Sequence, residues 1–101
     1  MVVKQAEKSD VQEVLDSNGI IYKHSPRCGM SASRKEVVEE FSEKTGKTVY
    51  LIDVLAQRDL SNIVAERTGV KHESPQLLIL KDGEVETNLT HMSITPEELE
   101  E

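Results

Sequence analysis

The sequence predicts an α/β fold in which a four-stranded mixed sheet carries helices on both faces. Short apolar runs alternate with stretches of helical spacing, in the order α-β-α-β-α-β-β-α. A helix joins the first two strands, so these should be parallel, and Asp82-Gly83 is a strong hairpin turn between the last two. The chain has 101 residues, of which 37% are apolar, so residues 1–101 should form a single domain.

The helices are predicted from apolar residues at helical spacing and from capping residues at their ends. They are residues 11–17 after a capping box of Asp10 and Glu13, a helix from Cys28-Gly29 to a stop at Gly46, a helix capped by Ser61 and stopped by Gly69, and a short helix that begins at Thr95-Pro96.

The strands are predicted from β-branched and apolar runs bounded by turn residues. They are residues 20–22, 48–54, 76–80 and 84–89. This layout is that of a thioredoxin-like domain. The loop that contains Cys28 then lies at the carboxyl end of the first strand, where open α/β sheets place their functional sites.

Cys28 is the only cysteine, and it lies between a strand and a helix start. Free helix N–H groups and the helix dipole favour a thiolate there, and Arg27 adds a nearby cation. Gly29 follows at the helix start, and Ser31 stands where a dithiol enzyme has its second cysteine. The pattern predicts a nucleophile with one-thiol chemistry, although free cysteines are often small buried apolar residues. Ser31 has two interpretations, as a hydrogen-bond donor to the thiolate or as a first-turn serine that bonds to the backbone.

A substrate groove is predicted from residues that flank the same edge of the sheet. Lys23 and His24 extend the first strand and could attract an anionic thiol, or they could be solvated strand-end side chains. Ser74 and Pro75 precede the third strand and should line the groove. His72 and Glu73, just before them, could line it too or could simply be loop residues. In a thioredoxin-like fold the Ser74–Pro75 bond should be cis and lie opposite the cysteine.

Composition excludes several classes of function. The net charge of −7 argues against nonspecific binding to nucleic acid or to an anionic membrane. No apolar run approaches the roughly 20 residues that span a bilayer, and the N-terminus has no apolar signal core. One cysteine cannot form an internal disulfide, which fits the reducing cytoplasm. The spacings between Cys28 and the three histidines match no metal signature, so no metal site is expected.

Two stretches give the chain a family resemblance. Residues 23–32, KHSPRCGMSA, form one, and residues 60–62 together with 69–77 and 81–83 form the other; the run VKHESPQ is the most specific part. In these stretches the chain resembles the monothiol bacilliredoxins, the YtxJ-like family of thioredoxin-fold proteins. The resemblance implies a redoxin that removes bacillithiol from protein mixed disulfides, with Cys28 as nucleophile and Pro75 as the cis-proline.

The site string departs from that family in one respect. Family members often have Cys-Pro-Ile-Ser, whereas this chain has Cys-Gly-Met-Ser, which is closer to the Cys-Gly-Phe-Ser of iron–sulfur monothiol glutaredoxins. The remaining glutaredoxin pattern, Trp-Pro before Pro75 and Gly-Gly-x-Asp after the third strand, is missing. An iron–sulfur carrier that shares a [2Fe–2S] centre between two copies is one alternative, and a redox-inert adaptor is another.

The predicted function is that of a cytoplasmic monothiol disulfide reductase. Its partners should be thiol-modified proteins and a low-molecular-weight thiol of the bacillithiol type, which acts as co-substrate. We expect no bound cofactor and a monomeric protein.

Overall fold

The computed structural model describes residues 3–99, which form five strands, four α-helices and a short 3-10 helix. In chain order these are β1 (Val3–Gln5), α1 (Lys8–Asp16), β2 (Gly19–His24), α2 (Gly29–Thr45), β3 (Val49–Asp53), α3 (Arg58–Thr68), β4 (Gln76–Lys81), β5 (Glu84–Thr90), the 3-10 helix (His91–Ser93) and α4 (Pro96–Leu99). No helix among residues 3–99 is long and apolar enough to cross a membrane.

The five strands form one mixed sheet in the order β1-β3-β2-β4-β5. β3 pairs in parallel with both β1 and β2, whereas β4 runs antiparallel to β2 and to β5. Lys23 near the end of β2 is opposite Gln76 at the start of β4, and His24 is opposite Asp53 at the end of β3. The carboxyl ends of β2 and β3 therefore meet the amino end of β4 at one edge of the sheet.

Each face of the sheet is covered by helices, as predicted, and each face has its own apolar core. Successive residues of a strand point to opposite faces, so neighbours in β2 serve different cores. Ile21 packs with the residues of α1 and α3, whereas Ile20 and Tyr22 pack with Val38 and Phe41 of α2. This alternation also sends the side chains of Lys23 and His24 to opposite faces.

The sheet has five strands where the sequence predicted four, because β1 was missed. β1 contains three residues, and Val3 pairs with Val49 at the outer edge of the sheet. Lys4 and Gln5 are exposed, so the strand has too few apolar positions to show an alternation. The thioredoxin-like class of the fold is unaffected, since β1 only extends one edge.

Two predicted helix starts were wrong by one turn. α1 begins at Lys8, and the Asp10 carboxylate accepts a hydrogen bond from the Glu7 N–H at 2.9 Å, so Asp10 closes the first turn instead of preceding it. α3 begins at Arg58, which places Ser61 inside the helix. In both cases an earlier residue caps the helix: Glu7 in α1 and Gln57 in α3.

Candidate active site

The predicted site residues surround one edge of the sheet. Cys28 follows the end of β2 and caps α2, and Pro75 immediately precedes β4, which pairs with β2. The Ser74–Pro75 bond is cis, as predicted. The Pro75 carbonyl accepts a hydrogen bond from the His91 N–H at 3.0 Å, which connects the turn before β4 to the end of β5.

The helix start lowers the pKa of the Cys28 thiol. The thiol is partly exposed, and the Cys28 N–H donates to the Ser25 carbonyl at 3.1 Å, which fixes the turn before α2. The Ser31 backbone N–H contributes most to the lower pKa, followed by the Ser31 hydroxyl and the Met30 N–H. These groups stabilise the thiolate as a helix N-terminus does.

Ser31 is fully buried, and its hydroxyl has no hydrogen-bond partner among residues 3–99. It therefore does not bond to the backbone, which was one of its two predicted interpretations. A buried hydroxyl without a partner is costly, and it can recover a hydrogen bond by donating to a nearby thiolate. Because the same hydroxyl lowers the pKa of Cys28, the arrangement favours the donor interpretation.

Tyr22 fixes the first turn of α2 through a hydrogen bond from β2. It is fully buried, and its hydroxyl donates to the Ser31 carbonyl oxygen at 2.7 Å. Burial raises the pKa of Tyr22, and the negative charge of a Cys28 thiolate raises it further, so the phenol keeps its proton and remains a donor. Tyr22 was predicted only as part of an apolar strand. The sequence contained one signal for its role near the site. Tyr22 lies two residues before His24, and residues i and i+2 of a strand share a face.

The Lys23 side chain is buried instead of being on the surface of the predicted substrate groove. It is fully buried, and its ammonium donates to the Ser61 carbonyl at 3.1 Å and to His72 Nδ1 at 3.2 Å. Burial lowers the pKa of Lys23 to about 8. The interpretation of Lys23 as a solvated strand-end charge is therefore wrong.

His24 faces α2 on the opposite side of the sheet. Its ring centroid is 5.8 Å from that of Tyr22, and its buried Nδ1 has no hydrogen-bond partner within residues 3–99. Burial lowers the pKa of His24, Lys35 lowers it further, and Asp53 opposes the change. A neutral imidazole thus packs beside the first turn of α2.

Glu73 and Ser74 are half-buried where the chain enters β4. The Glu73 carboxylate lies 3.8 Å from His91 Nε2 and 3.9 Å from Lys71 Nζ, so it is engaged on two sides. Its N–H donates to Gln76 Oε1 at 3.4 Å. Arg27 and Gly29 are both exposed beside Cys28, and their support of the thiolate stays a prediction.

A cavity of about 290 Å³ opens beside this edge of the sheet. Ser25, Arg58, Ser61, His72 and Ser74 are among the residues that line it, and Val54 and Leu55 contribute apolar surface. Arg58 was not predicted as a site residue, although its position shortly after β3, at the shared edge, was a signal for it in the sequence. A larger cavity, of about 420 Å³, lies between Gly19 and Lys81 at the opposite end of β2 and β4.

The Ser31 hydroxyl gives a testable pH effect. Thiolate absorbance of the wild type should titrate with a midpoint below the value of about 8.5 that is usual for free cysteine. Ser31→Ala should raise this midpoint, because one of the groups that lower the pKa is lost. Ser33→Ala, two residues further along α2, is the matched control. A midpoint unchanged in Ser31→Ala would contradict the donor role.

Comparison with known proteins agrees with this geometry. The family model for monothiol bacilliredoxin BrxC matches residues 3–99. A solved structure described as a candidate oxidoreductase with a thioredoxin fold superposes with a TM-score of 0.90 at 29% identity, covering 98% of this chain and 91% of that one.

Thioredoxins share the fold at lower identity. Thioredoxin from Fasciola hepatica gives a TM-score of 0.72 at 14% identity, covering 99% of this chain and 93% of its own. Oxidised thioredoxin from Plasmodium falciparum gives 0.66 at 18% identity, covering 97% and 89%. The match over residues 3–99 and the thioredoxin fold around a single cysteine lead to one conclusion: this chain is a thiol oxidoreductase that belongs to the monothiol bacilliredoxin family.

Proposed function

We propose that the protein removes a low-molecular-weight thiol of the bacillithiol type from protein mixed disulfides through Cys28. The observation that carries the proposal is the single partly exposed thiol, whose pKa is lowered by the first turn of α2. The cis Ser74–Pro75 bond supports it. The chain has no second cysteine, so each oxidised product of Cys28 must involve another molecule.

The reaction proceeds in two exchanges. The Cys28 thiolate attacks the sulfur of the small thiol, a new S–S bond forms, and the target cysteine leaves as a thiolate that takes a proton from water. A second small-thiol molecule, as thiolate, then attacks the sulfur of the adduct and releases Cys28, with a symmetric small disulfide as the product. The sulfur of the first small thiol stays in a disulfide throughout, so the net change is oxidation of the second small thiol and reduction of the target cysteine.

The target should dock beside Pro75 as a short added strand. Because the Pro75 carbonyl already accepts the His91 N–H, this pairing falls to the backbone of Ser74. The proposed protein is a monomer that uses the low-molecular-weight thiol as co-substrate and has no resident cofactor. We place it in the cytoplasm, because these reactions need a reducing thiol pool.

A single-turnover assay tests this function. A peptide with a bacillithiol mixed disulfide is mixed with protein, and the free peptide thiol and the mass of the Cys28 adduct are followed together. Wild type should release the peptide and gain the mass of one bacillithiol, whereas Cys28→Ser should fall to the uncatalysed rate. Equal rates for wild type and Cys28→Ser would overturn the enzyme function in favour of an adaptor. Visible absorbance after anaerobic reconstitution with iron and sulfide would instead indicate a cluster carrier.

A further inference from the structure

The cavity of about 290 Å³ that Ser25 and Ser74 line is bordered by basic groups, although the net charge of the chain is −7. Arg58 and His72 line it, and the buried Lys23 ammonium lies directly behind its wall, against His72 and Ser61. Burial lowers the pKa of His72 most, and the charges of Lys23 and Arg58 lower it further, while the Glu73 carboxylate opposes the change. His72 therefore lies within the electrostatic reach of both cations.

Lys23 has no counter-charge of its own. Within residues 3–99 no carboxylate lies at ion-pair distance from its ammonium, although the side chain is fully buried. Its two partners are a carbonyl and an imidazole nitrogen, both neutral. A buried cation without an anion is strongly unfavourable. An anion in the adjoining cavity would supply the missing counter-charge and would be attracted to the Lys23 ammonium.

Two carboxylates that neighbour lining residues of the cavity in the sequence already have partners. Glu73 lies between Lys71 and His91, and the Asp53 carboxylate accepts the N–H groups of Leu55 and Ala56 at 2.9 and 3.0 Å. The cavity is thus a pocket with basic groups on one side and the apolar surface of Val54 and Leu55 on the other.

The pocket shares a residue with the turn that positions Cys28. Ser25 lines the cavity and also accepts the Cys28 N–H, and Ser74 lines it next to the cis-proline. A small molecule joined to Cys28 through sulfur can therefore extend toward the pocket along the turn that begins at Ser25. We propose that the pocket of Arg58, His72 and the underlying Lys23 binds a carboxylate carried by the low-molecular-weight thiol. This inference rests on the proposed function, because it assigns a binding group to the same substrate.

The test compares two small thiols that differ only in charge. One neutral peptide is prepared as a mixed disulfide with 3-mercaptopropionate and with 3-mercaptopropanamide. Each rate with the protein is divided by the rate of the same disulfide with dithiothreitol, which corrects for intrinsic reactivity. Wild type should prefer the carboxylate over the amide by about tenfold, the usual size of one charge-assisted hydrogen bond.

Variants locate the preference. Arg58→Gln, at an exposed position, should reduce the ratio of the two rates severalfold, and Lys23→Met should reduce it as well if the variant folds. Arg67→Gln is the matched control, because Arg67 lies in the last turn of the same helix and pairs with Asp16 at 2.6 Å. It should leave the ratio unchanged. An unchanged ratio in Arg58→Gln, or equal effects of Arg58→Gln and Arg67→Gln, would overturn the pocket.

A further arm identifies the source of the carboxylate. A peptide with glutamates beside its cysteine is joined to 3-mercaptopropanamide and compared with the neutral peptide. The acidic peptide could react faster than the neutral one in a way that depends on Arg58, while 3-mercaptopropionate gives no such increase in rate. The pocket would then bind the target protein, and the inference would be wrong. Wild type could reduce both disulfides at equal corrected rates while Cys28→Ser reduces neither. That result would leave the proposed function intact and refute only the carboxylate pocket.

Discussion

Ser31→Cys should convert the protein from one-thiol to two-thiol chemistry. Position 31 is one helical turn from Cys28, and its present side chain already influences the Cys28 sulfur. The hydroxyl has no hydrogen-bond partner within residues 3–99, so the substitution breaks none there. After the target is released, the new thiol should displace the small thiol from Cys28 and close an intramolecular disulfide. Wild type should instead keep the small-thiol adduct until a second small thiol removes it.

Mass spectrometry of the oxidised protein distinguishes the two routes. Ser31→Cys should lose the mass of one pair of hydrogens and need a dithiol reductase for turnover, while its dependence on the small thiol disappears. Ser33→Cys is the control, since residue 33 lies on a different side of α2 and should leave the adduct in place. A persistent small-thiol adduct in Ser31→Cys would contradict the proximity of position 31 to the sulfur.

Lys23→Met should change how stability depends on pH. The pKa of Lys23 is about 8 in the folded protein against 10.5 for an ordinary lysine, because of burial. Between these values the unfolded chain holds the proton that the folded chain has lost, so the contribution of Lys23 to the free energy of unfolding rises with pH. Methionine has no such group. From pH 7 to pH 10.5, wild type should therefore gain about 1–3 kcal/mol relative to Lys23→Met.

Urea unfolding at both pH values measures this difference directly. Part of the difference in stability between the two proteins should not depend on pH, since methionine also removes the hydrogen bond to the Ser61 carbonyl. Only the change of this difference with pH reports the buried charge. Lys81→Met, at an exposed lysine on β4, controls for the loss of one charge in general. A difference that stays flat or moves in the opposite direction would show that Lys23 does not bear an uncompensated charge.

The sequence predicted the elements whose signals are local. The strand-to-helix turn at Cys28 and the hairpin at Asp82-Gly83 each depend on a few neighbouring residues, and both occur where expected. β1 was missed because its three residues become a strand only by pairing with β3, which follows more than forty positions later. The start of α3 was missed for the same reason, since Gln57 is fixed by a hydrogen bond from its side chain to the Ala6 carbonyl at 2.7 Å.

The candidate site divides along the same line. Cys28, Ser31 and the cis bond before Pro75 could be anticipated from motif and fold. The burial of Lys23 could not, because it depends on Ser61 and His72, which α3 and the following loop bring beneath β2. Arg58 likewise enters the cavity only through the packing of α3 on the sheet.

The alternation of side chains along β2 separates the residues that act on the Cys28 thiol from the residues beside the basic cavity. Tyr22 and His24 face α2 and the first turn that holds the sulfur, whereas Lys23 faces α3 and the cavity. Changes on the first side should alter the reaction with every small thiol by a common factor, and changes on the second should alter the choice among thiols. Since the sheet separates the two sets, their effects on free energy should add in double variants. Evolution or engineering can then exchange the preferred thiol without rebuilding the nucleophile.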